Sequence, residues 1–400
     1  MRSSQKNTGQ PGGITRRQML AHTGAMIGAS MLPAATLPLR LAPQRTQAQA
    51  AGDAVNREHT IGYVLSTEQW RVSDLLNQAI AAEAAGFDMV WSSDHFHPWQ
   101  DNEGHSGQAW TLLSAIGQKT SRIFFGTGVT CPTYRYRPAI VAEAFASLAI
   151  LNPGRVFLGV GTGEALNEQA SGGGWGPYAE RAERLVEAVQ IIRQLWQGDW
   201  MSFNGKYYQI PKARLYDVPD QPIPLYIAAS GKNSFRLSGL HGDGWITEPT
   251  HALNPEDRAT WESAARDAGK DPAALPIISE LFVFVGSEND PELEEKINLW
   301  RFLPKAWTNF VNNPDPVAIE QGAMQIVPIE EVKNTWIVGE DPQLFVKRIL
   351  ALFKGGVSKV FIHSAQNDQQ KVLDFFGQQV IPQVRSQMAA LHNPSSVASV

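Results

Sequence analysis

The chain has 400 residues, enough for one large domain or two ordinary ones, and its 43% hydrophobic content suits a chain that buries a core. The 34 Lys and Arg against 39 Asp and Glu leave a formal charge of -5, so no basic field favours nucleic acid or an anionic membrane. Cys131 is the only cysteine, which excludes an internal disulfide and a cysteine metal cluster.

The first elements belong to a leader. Arg16-Arg17 precede the uncharged stretch AHTGAMIGASMLPAATLPL, and Ala48-Gln49-Ala50 then offers an A-x-A cleavage site. Basic region, apolar region and small-residue site come in the order of an export signal, so residues 1–50 are set apart from the fold. The paired arginines resemble the twin-arginine signal of bacteria. That implies delivery by the twin-arginine translocation machinery to the cell envelope, periplasm or medium, as a folded protein that often carries a cofactor. The competing reading is a retained anchor helix, for which the Gly- and Pro-containing run is weak.

Apolar runs and amphipathic stretches then alternate. Strands are predicted at 60–66, 87–92, 123–130, 155–160, 224–229, 244–247, 278–285 and 359–363. Helices are predicted at 75–86, 110–119, 138–151 and 179–196. In the last of these Ala182, Leu185, Val189, Ile192 and Leu195 share one stripe. The strands read as continuous apolar runs, as parallel strands covered on both faces do. Eight βα repeats favour a (β/α)8 TIM barrel over a doubly wound sheet. The segment 290–336, rich in aromatics, is too long for a plain connection and reads as an inserted helical lid over the barrel mouth.

In such a barrel chemistry sits where strands end. The candidate tips carry Glu68, then Asp94-His95 with Trp99, then Gly126 to Cys131, then Gly161-Thr162-Gly163-Glu164, then Ser230-Gly231. The stretch RVFLGVGTGEALNE invites reading as a phosphate loop. Glu164, however, stands where a dinucleotide fingerprint needs its third glycine, and a carboxylate there would repel a pyrophosphate. Bare glycine backbone at two neighbouring tips, beside an imidazole and a carboxylate, suggests instead a planar redox cofactor between a proton donor and a proton acceptor. Plainer roles stand beside these: His95 as a structural histidine, Glu164 as a helix-start residue, Trp300 and Trp307 as core. His97 and His105 lack the spaced partners of a zinc site, so no metal is expected.

Taken together, the motifs Ser93-Asp94-His95-Phe96-x-Pro98-Trp99, Gly126-Thr127-Gly128-Val129-Thr130-Cys131-Pro132 and Gly161 to Glu168 resemble the coenzyme F420-dependent dehydrogenases of the luciferase-like barrel superfamily. The resemblance runs from about Ile61 to Gln383, so residues 51–388 would form one luciferase-like barrel and 389–400 a flexible tail. Trp99 to Ser106, Phe145 to Gly159 and the twin-arginine leader are similar to the exported branch that acts on hydroxymycolic acids. The resemblance implies that His95 takes the substrate hydroxyl proton, that Glu164 exchanges a proton with the reduced deazaflavin, and that Trp99 packs beside the reacting centre. It implies cofactor contacts at Asp94, Gly128, Val129, Cys131, Thr162, Gly163, Asn167, Ser230 and Gly231, and a substrate pocket touching Glu68, Trp300 and Trp307. Related barrels often pair, so a homodimer is compatible with it.

An imidazole, with an ordinary pKa of about 6.5, suits proton removal from an alcohol losing hydride. The glucose-6-phosphate branch holds its phosphate with two lysines and an arginine. Here Val311 and Thr335 replace one lysine and the arginine, and Thr247-Glu248-Pro249-Thr250 lacks the other. Losing charge-assisted bonds of about 1.5–3 kcal/mol each points away from sugar phosphates and toward an apolar or lipidic secondary alcohol. The alternatives are a sugar-phosphate dehydrogenase, a monooxygenase using reduced flavin, and a non-catalytic carrier.

Overall fold

The computed structural model describes residues 59–392. The export signal predicted from the leader lies outside them, as does most of the predicted tail. The last helix, Ile381–His392, runs four residues past the expected boundary.

The strands are β1 Thr60–Leu65, β2 Met89–Ser92, β3 Phe124–Thr127, β4 Val156–Val160, β5 Met201–Asn204, β6 Gln209–Ala213, β7 Leu225–Ala228, β8 Trp245–Ile246, β9 Ile277–Val285, β10 Ile337–Gly339 and β11 Lys359–Ser364. Eight of them pair in the order β9-β11-β1-β2-β3-β4-β7-β8, and a β8–β9 pairing closes the ring. The pairings around the ring are parallel. These are the eight strands predicted from the apolar runs, so the chain is an α/β protein with a (β/α)8 TIM barrel.

Two cores account for that legibility. Outside the ring, Tyr63, Leu65, Val90, Phe125 and Leu158 meet the helices. Inside the bore, their alternates Val64, Trp91, Phe124, Phe157, Tyr226, Ile278 and Phe361 pack on one another, with Trp91 stacked 3.9 Å from Phe361. Residues needed on both faces leave no polar alternation in the sequence. The predicted third strand is cut from 123–130 to 124–127 by the cis peptide Gly128–Val129, after which Thr130 rejoins the ladder opposite Val160.

The β5–β6 hairpin and β10 were not foreseen. The hairpin alternates exposed and half-buried residues and stands apart from the barrel sheet, and β10 adds to β9 outside the ring. The 290–336 segment is helical, as expected: Pro291–Leu299, Pro316–Ile326 and Ile329–Lys333, with a π-helical turn Ala306–Phe310. Its Ile297, Trp300, Phe302, Phe310, Val332 and Trp336 join Trp99, Leu166 and Phe284 in a core of their own. The segment therefore packs on the loops that leave β2 and β4.

Candidate active site

The barrel's C-terminal tips bring the predicted residues together. Glu68, beyond β1, is buried and accepts hydrogen bonds from the hydroxyls of Ser66 (3.0 Å) and Ser93. Its other oxygen, Oε1, lies 3.4 Å from His95 Nε2. Burial alone would push the Glu68 carboxyl up, but the His95 imidazole and these hydroxyls outweigh it and hold it below the usual carboxylate range.

Asn167 connects the imidazole to the second carboxylate. It lies in the short helix Ala165–Glu168. Its Oδ1 accepts from the backbone N–H groups of Phe96 (2.7 Å) and His97 (3.2 Å). That fixes the amide orientation, so Nδ2 is the end that meets Glu164 Oε2 at 3.0 Å and His95 Nδ1 at 3.2 Å. His95 Nδ1 also faces the His97 carbonyl at 3.1 Å. His95 and Glu164, 69 positions apart in the sequence, thus flank one carboxamide.

Trp99 stands beside this pair, its ring 6.1 Å from that of His95, stacked 4.7 Å from Phe302 and edge-on to Trp307 at 6.0 Å. Trp307 is half exposed, whereas Trp300 is buried behind Phe302. The insertion is clamped to both tips. Gln100 Nε2 donates to the Asn298 carbonyl (2.8 Å), and the Val311 carbonyl accepts from Ala165 N–H (2.9 Å).

The remaining expected residues form a continuous arc on β2, β3, β4 and β7. Asp94 has its carboxylate occupied inside the protein. Thr130 donates to one oxygen (2.6 Å), and Arg135 (3.1 Å) and Tyr136 (3.3 Å) donate to the other. Cys131 is buried with its sulfur 3.1 Å from Thr133 Oγ1, and burial with the nearby Glu168 pushes its thiol well up. Gly128, Val129 and Thr162 are half-buried, and Gly161 is buried on β4's side of the arc. On β7's side the N–H groups of Ser230 and Gly231 both donate to Ser234 Oγ.

The glycines have a different reason from the one the sequence suggested. A Cβ on Gly126 would meet the Phe157 carbonyl at 2.2 Å, and one on Gly159 the Thr127 carbonyl at 2.1 Å. Those two positions are bare because neighbouring strands approach closely. Gly163 has φ +79 and would drive a Cβ to 2.6 Å from Cys131 Sγ.

The sequence reading missed a buried ionic network. Arg135 bridges Asp94 and Glu168, and its backbone N–H also donates to Glu168 Oε2 at 2.7 Å. Burial raises Glu168 to about 7, opposed by Arg135 and reinforced by Glu164 and Asp94. Arg181 is buried too, donating to the Gly163 carbonyl (3.1 Å) with its guanidinium 4.0 Å from the Trp175 ring. The short spacing of Glu164 and Glu168 was the visible sign of a second acid nearby: Glu164 caps the helix that Glu168 ends.

Known proteins share this architecture. The luciferase-like monooxygenase family profile matches residues 58–359. F420-dependent hydroxymycolic acid dehydrogenase of Mycobacterium tuberculosis is 48% identical over 325 residues, 81% of this chain and 88% of that protein. F420-dependent glucose-6-phosphate dehydrogenase of Mycobacterium avium is 38% identical over 337 residues, 82% of this chain and 98% of that one. Among solved structures, an F420-dependent secondary alcohol dehydrogenase in complex with an F420-acetone adduct superposes with a TM-score of 0.76 at 35% identity, covering 82% of this chain and 99% of that one. A barrel with an imidazole and a carboxylate joined at its mouth, and relatives matched over four-fifths of the chain, place this protein in the luciferase-like family, among its F420-dependent dehydrogenases.

Proposed function

We propose that the chain is a coenzyme F420-dependent alcohol dehydrogenase acting on the CH–OH group of a secondary alcohol that is apolar or lipidic. The single observation that supports it most is the Asn167 bridge, which sets His95 and Glu164 on either side of one carboxamide with Glu68 behind the imidazole.

The arc suits a polar, planar cofactor. Arg181 Nε is buried there without a hydrogen-bond partner among the described residues, which is capacity for a polar group of a ligand. Gly128, Val129, Thr162, Gly163, Asn167, Ser230 and Gly231 would hold it, with Asp94 and Cys131 shaping the wall. When bound, the deazaflavin supplies the hydride acceptor or donor.

The protein's part is proton transfer and orientation. His95 receives the hydroxyl proton at Nε2 in the tautomer whose Nδ1 donates to the His97 carbonyl, and in that tautomer Asn167 Nδ2 donates to Glu164 alone. Glu68, held as a carboxylate by Ser66 and Ser93, stabilises the imidazolium that forms. Glu164, oriented by Asn167, holds the exchangeable proton on the cofactor's side. Trp99 and Trp307 keep water from the reacting carbon.

The substrate class follows from where the cations are. Val311 is buried with its carbonyl bound to Ala165, and Thr335 is exposed and neutral. Lys305 is paired to Glu331 (2.9 Å) and Lys333 to Glu288 (3.4 Å). Cations already held by acids are poor phosphate ligands. The aromatic mouth favours apolar bulk.

The test is cofactor extraction from protein made in a deazaflavin-producing host, followed by an alcohol panel read by loss of deazaflavin absorbance. Turnover of hydrophobic secondary alcohols, lost in His95→Ala and Glu164→Gln with cofactor binding kept within a few-fold, is the expected result. Efficient oxidation of glucose 6-phosphate with none of hydrophobic alcohols would overturn the substrate class. A bound flavin would overturn the cofactor. Export by the twin-arginine route is part of the same proposal, and replacing Arg16-Arg17 by lysines should retain the protein in the cytosol.

A further inference from the structure

The mouth holds a second imidazole–carboxylate pair that the reaction above does not use. Glu280 on β9 and His363 on β11 each stand two residues beyond a member of the packed bore, Ile278 and Phe361. Strand alternation turns both into the same bore, one layer nearer the C-terminal end where chemistry occurs. His363 is 3% exposed and its Nδ1 bonds Glu280 Oε1. Glu280 itself keeps 31% of its side chain exposed, on a strand whose other residues are nearly all buried. Among the described residues it has no second hydrogen-bond or ion-pair partner.

Strand order places the pair beside the strand that leads to Glu68. β11 lies between β9 and β1, and Gln69 Nε2, beside Glu68, donates to the Ala365 carbonyl just beyond β11. Trp300 packs edge-on 4.5 Å from His363 and leads through Phe302 to Trp99. Around Phe282, moreover, His363 Nε2, Trp300 Nε1 and Trp336 Nε1 are all buried without a hydrogen-bond partner among the described residues.

A carboxylate in an aromatic wall costs free energy unless its oxygens are met, and the layer below fills the same bore with Ile278 and Phe361. One oxygen of Glu280 is met by His363. The other has no partner among the described residues, and the exposed part of the side chain leaves it open at this end of the barrel. The free oxygen calls for a donor, which a hydroxyl supplies, while an ammonium would leave its further N–H donors unmet against a wall of rings.

We propose that Glu280 is a specificity-determining residue that receives a second hydroxyl of the substrate, with His363 as its positioning residue. The preferred alcohol is thus a diol-like molecule bearing one hydroxyl to be oxidised and another to be held. This rests on the alcohol dehydrogenase reading above and deepens it.

The experiment compares a medium-chain secondary alcohol, the 1,3-diol that adds one hydroxyl to it, and the matching amino alcohol, with F420-loaded wild type and Glu280→Gln. The corresponding ketone and hydroxyketone are titrated calorimetrically in the presence of oxidised cofactor, which gives them no hydride. Wild type should favour the second hydroxyl roughly tenfold in kcat/KM, through KM, and in ketone affinity, and Glu280→Gln should bring both ratios near one. His363→Gln should reduce the ratios partway. Equal ratios in wild type and Glu280→Gln, or a preference for the amino alcohol, would overturn the proposal. Affinity discrimination without any alcohol turnover would uphold this site and refute the dehydrogenase reading; turnover without discrimination would do the reverse.

Discussion

Asn167 offers the sharpest test of the site because its oxygen and its nitrogen have separate roles. Its oxygen satisfies the N–H groups of Phe96 and His97, and its nitrogen faces Glu164 and His95. Asn167→Ala removes both roles. Two backbone donors lose their acceptor at about 1 kcal/mol each or somewhat more, so unfolding in urea should show a loss of about 2–3 kcal/mol. Asn167→Asp keeps the acceptor and changes the charge. A carboxylate oxygen then sits about 3 Å from His95 Nδ1 and from Glu164 Oε2. An opposite charge at that range raises an imidazole's pKa by about 1–3 units, and a like charge keeps one of two carboxyls protonated to higher pH. The acidic limb of kcat/KM against pH, where a neutral His95 is required, should therefore move up by at least one unit in Asn167→Asp. In Asn167→Ala the limb should stay within a few tenths while kcat falls ten- to a hundredfold. An Asn167→Asp profile superimposed on wild type would refute the bridge.

Two further outcomes follow from burial and backbone. Glu168 is raised to about 7 from a normal 4.5, so the folded protein binds a proton that the unfolded chain lacks between those values. Stability should fall as pH rises through that window and stay lower above it. Glu168→Gln should remove that fall, gaining roughly 3 kcal/mol over wild type at pH 8 relative to pH 4; parallel urea-unfolding curves at the two pH values would contradict this. Gly163→Ala must adopt φ +79 and press on Cys131, whereas Gly104, at φ +85, has open space where a Cβ would stand. Thermal melts should show the Gly163 variant losing about 2 kcal/mol or more and the Gly104 variant about 1.

The eight barrel strands were legible because a parallel strand covered on both faces has no choice but an apolar run, as in Val156–Val160. The hairpin at Met201–Ala213 was not, since its residues are half exposed and QIPKA carries a proline and a lysine like any loop. The insertion was visible as aromatic excess without a strand period, and its helices indeed bury those rings. His95, Glu164 and Trp99 were found as chemically distinctive groups at strand ends, and the closed ring brings them into one place.

What the sequence hid is the set of partners that decides which charges remain available. Asp94 looks like a free carboxylate at a strand tip, yet Thr130, Arg135 and Tyr136 reach it from the next tip along, 36 to 42 positions away. Arg135 and Arg181, which the sequence did not single out, are held by Asp94, Glu168 and the Gly163 carbonyl. Pairings of this kind exist only after β2, β3 and β4 stand side by side, and no local spacing encodes them. They also set the chemistry: with its cations engaged, the mouth is governed by the unpaired oxygen of Glu280, by Glu68 behind His95, and by a wall of indoles. On the proposed reading such a mouth would repel an anionic substrate and accept a hydroxyl. Under the proposed function, selectivity against phosphate would come as much from the acids that occupy Lys305 and Lys333 as from the lysines and arginine that are missing.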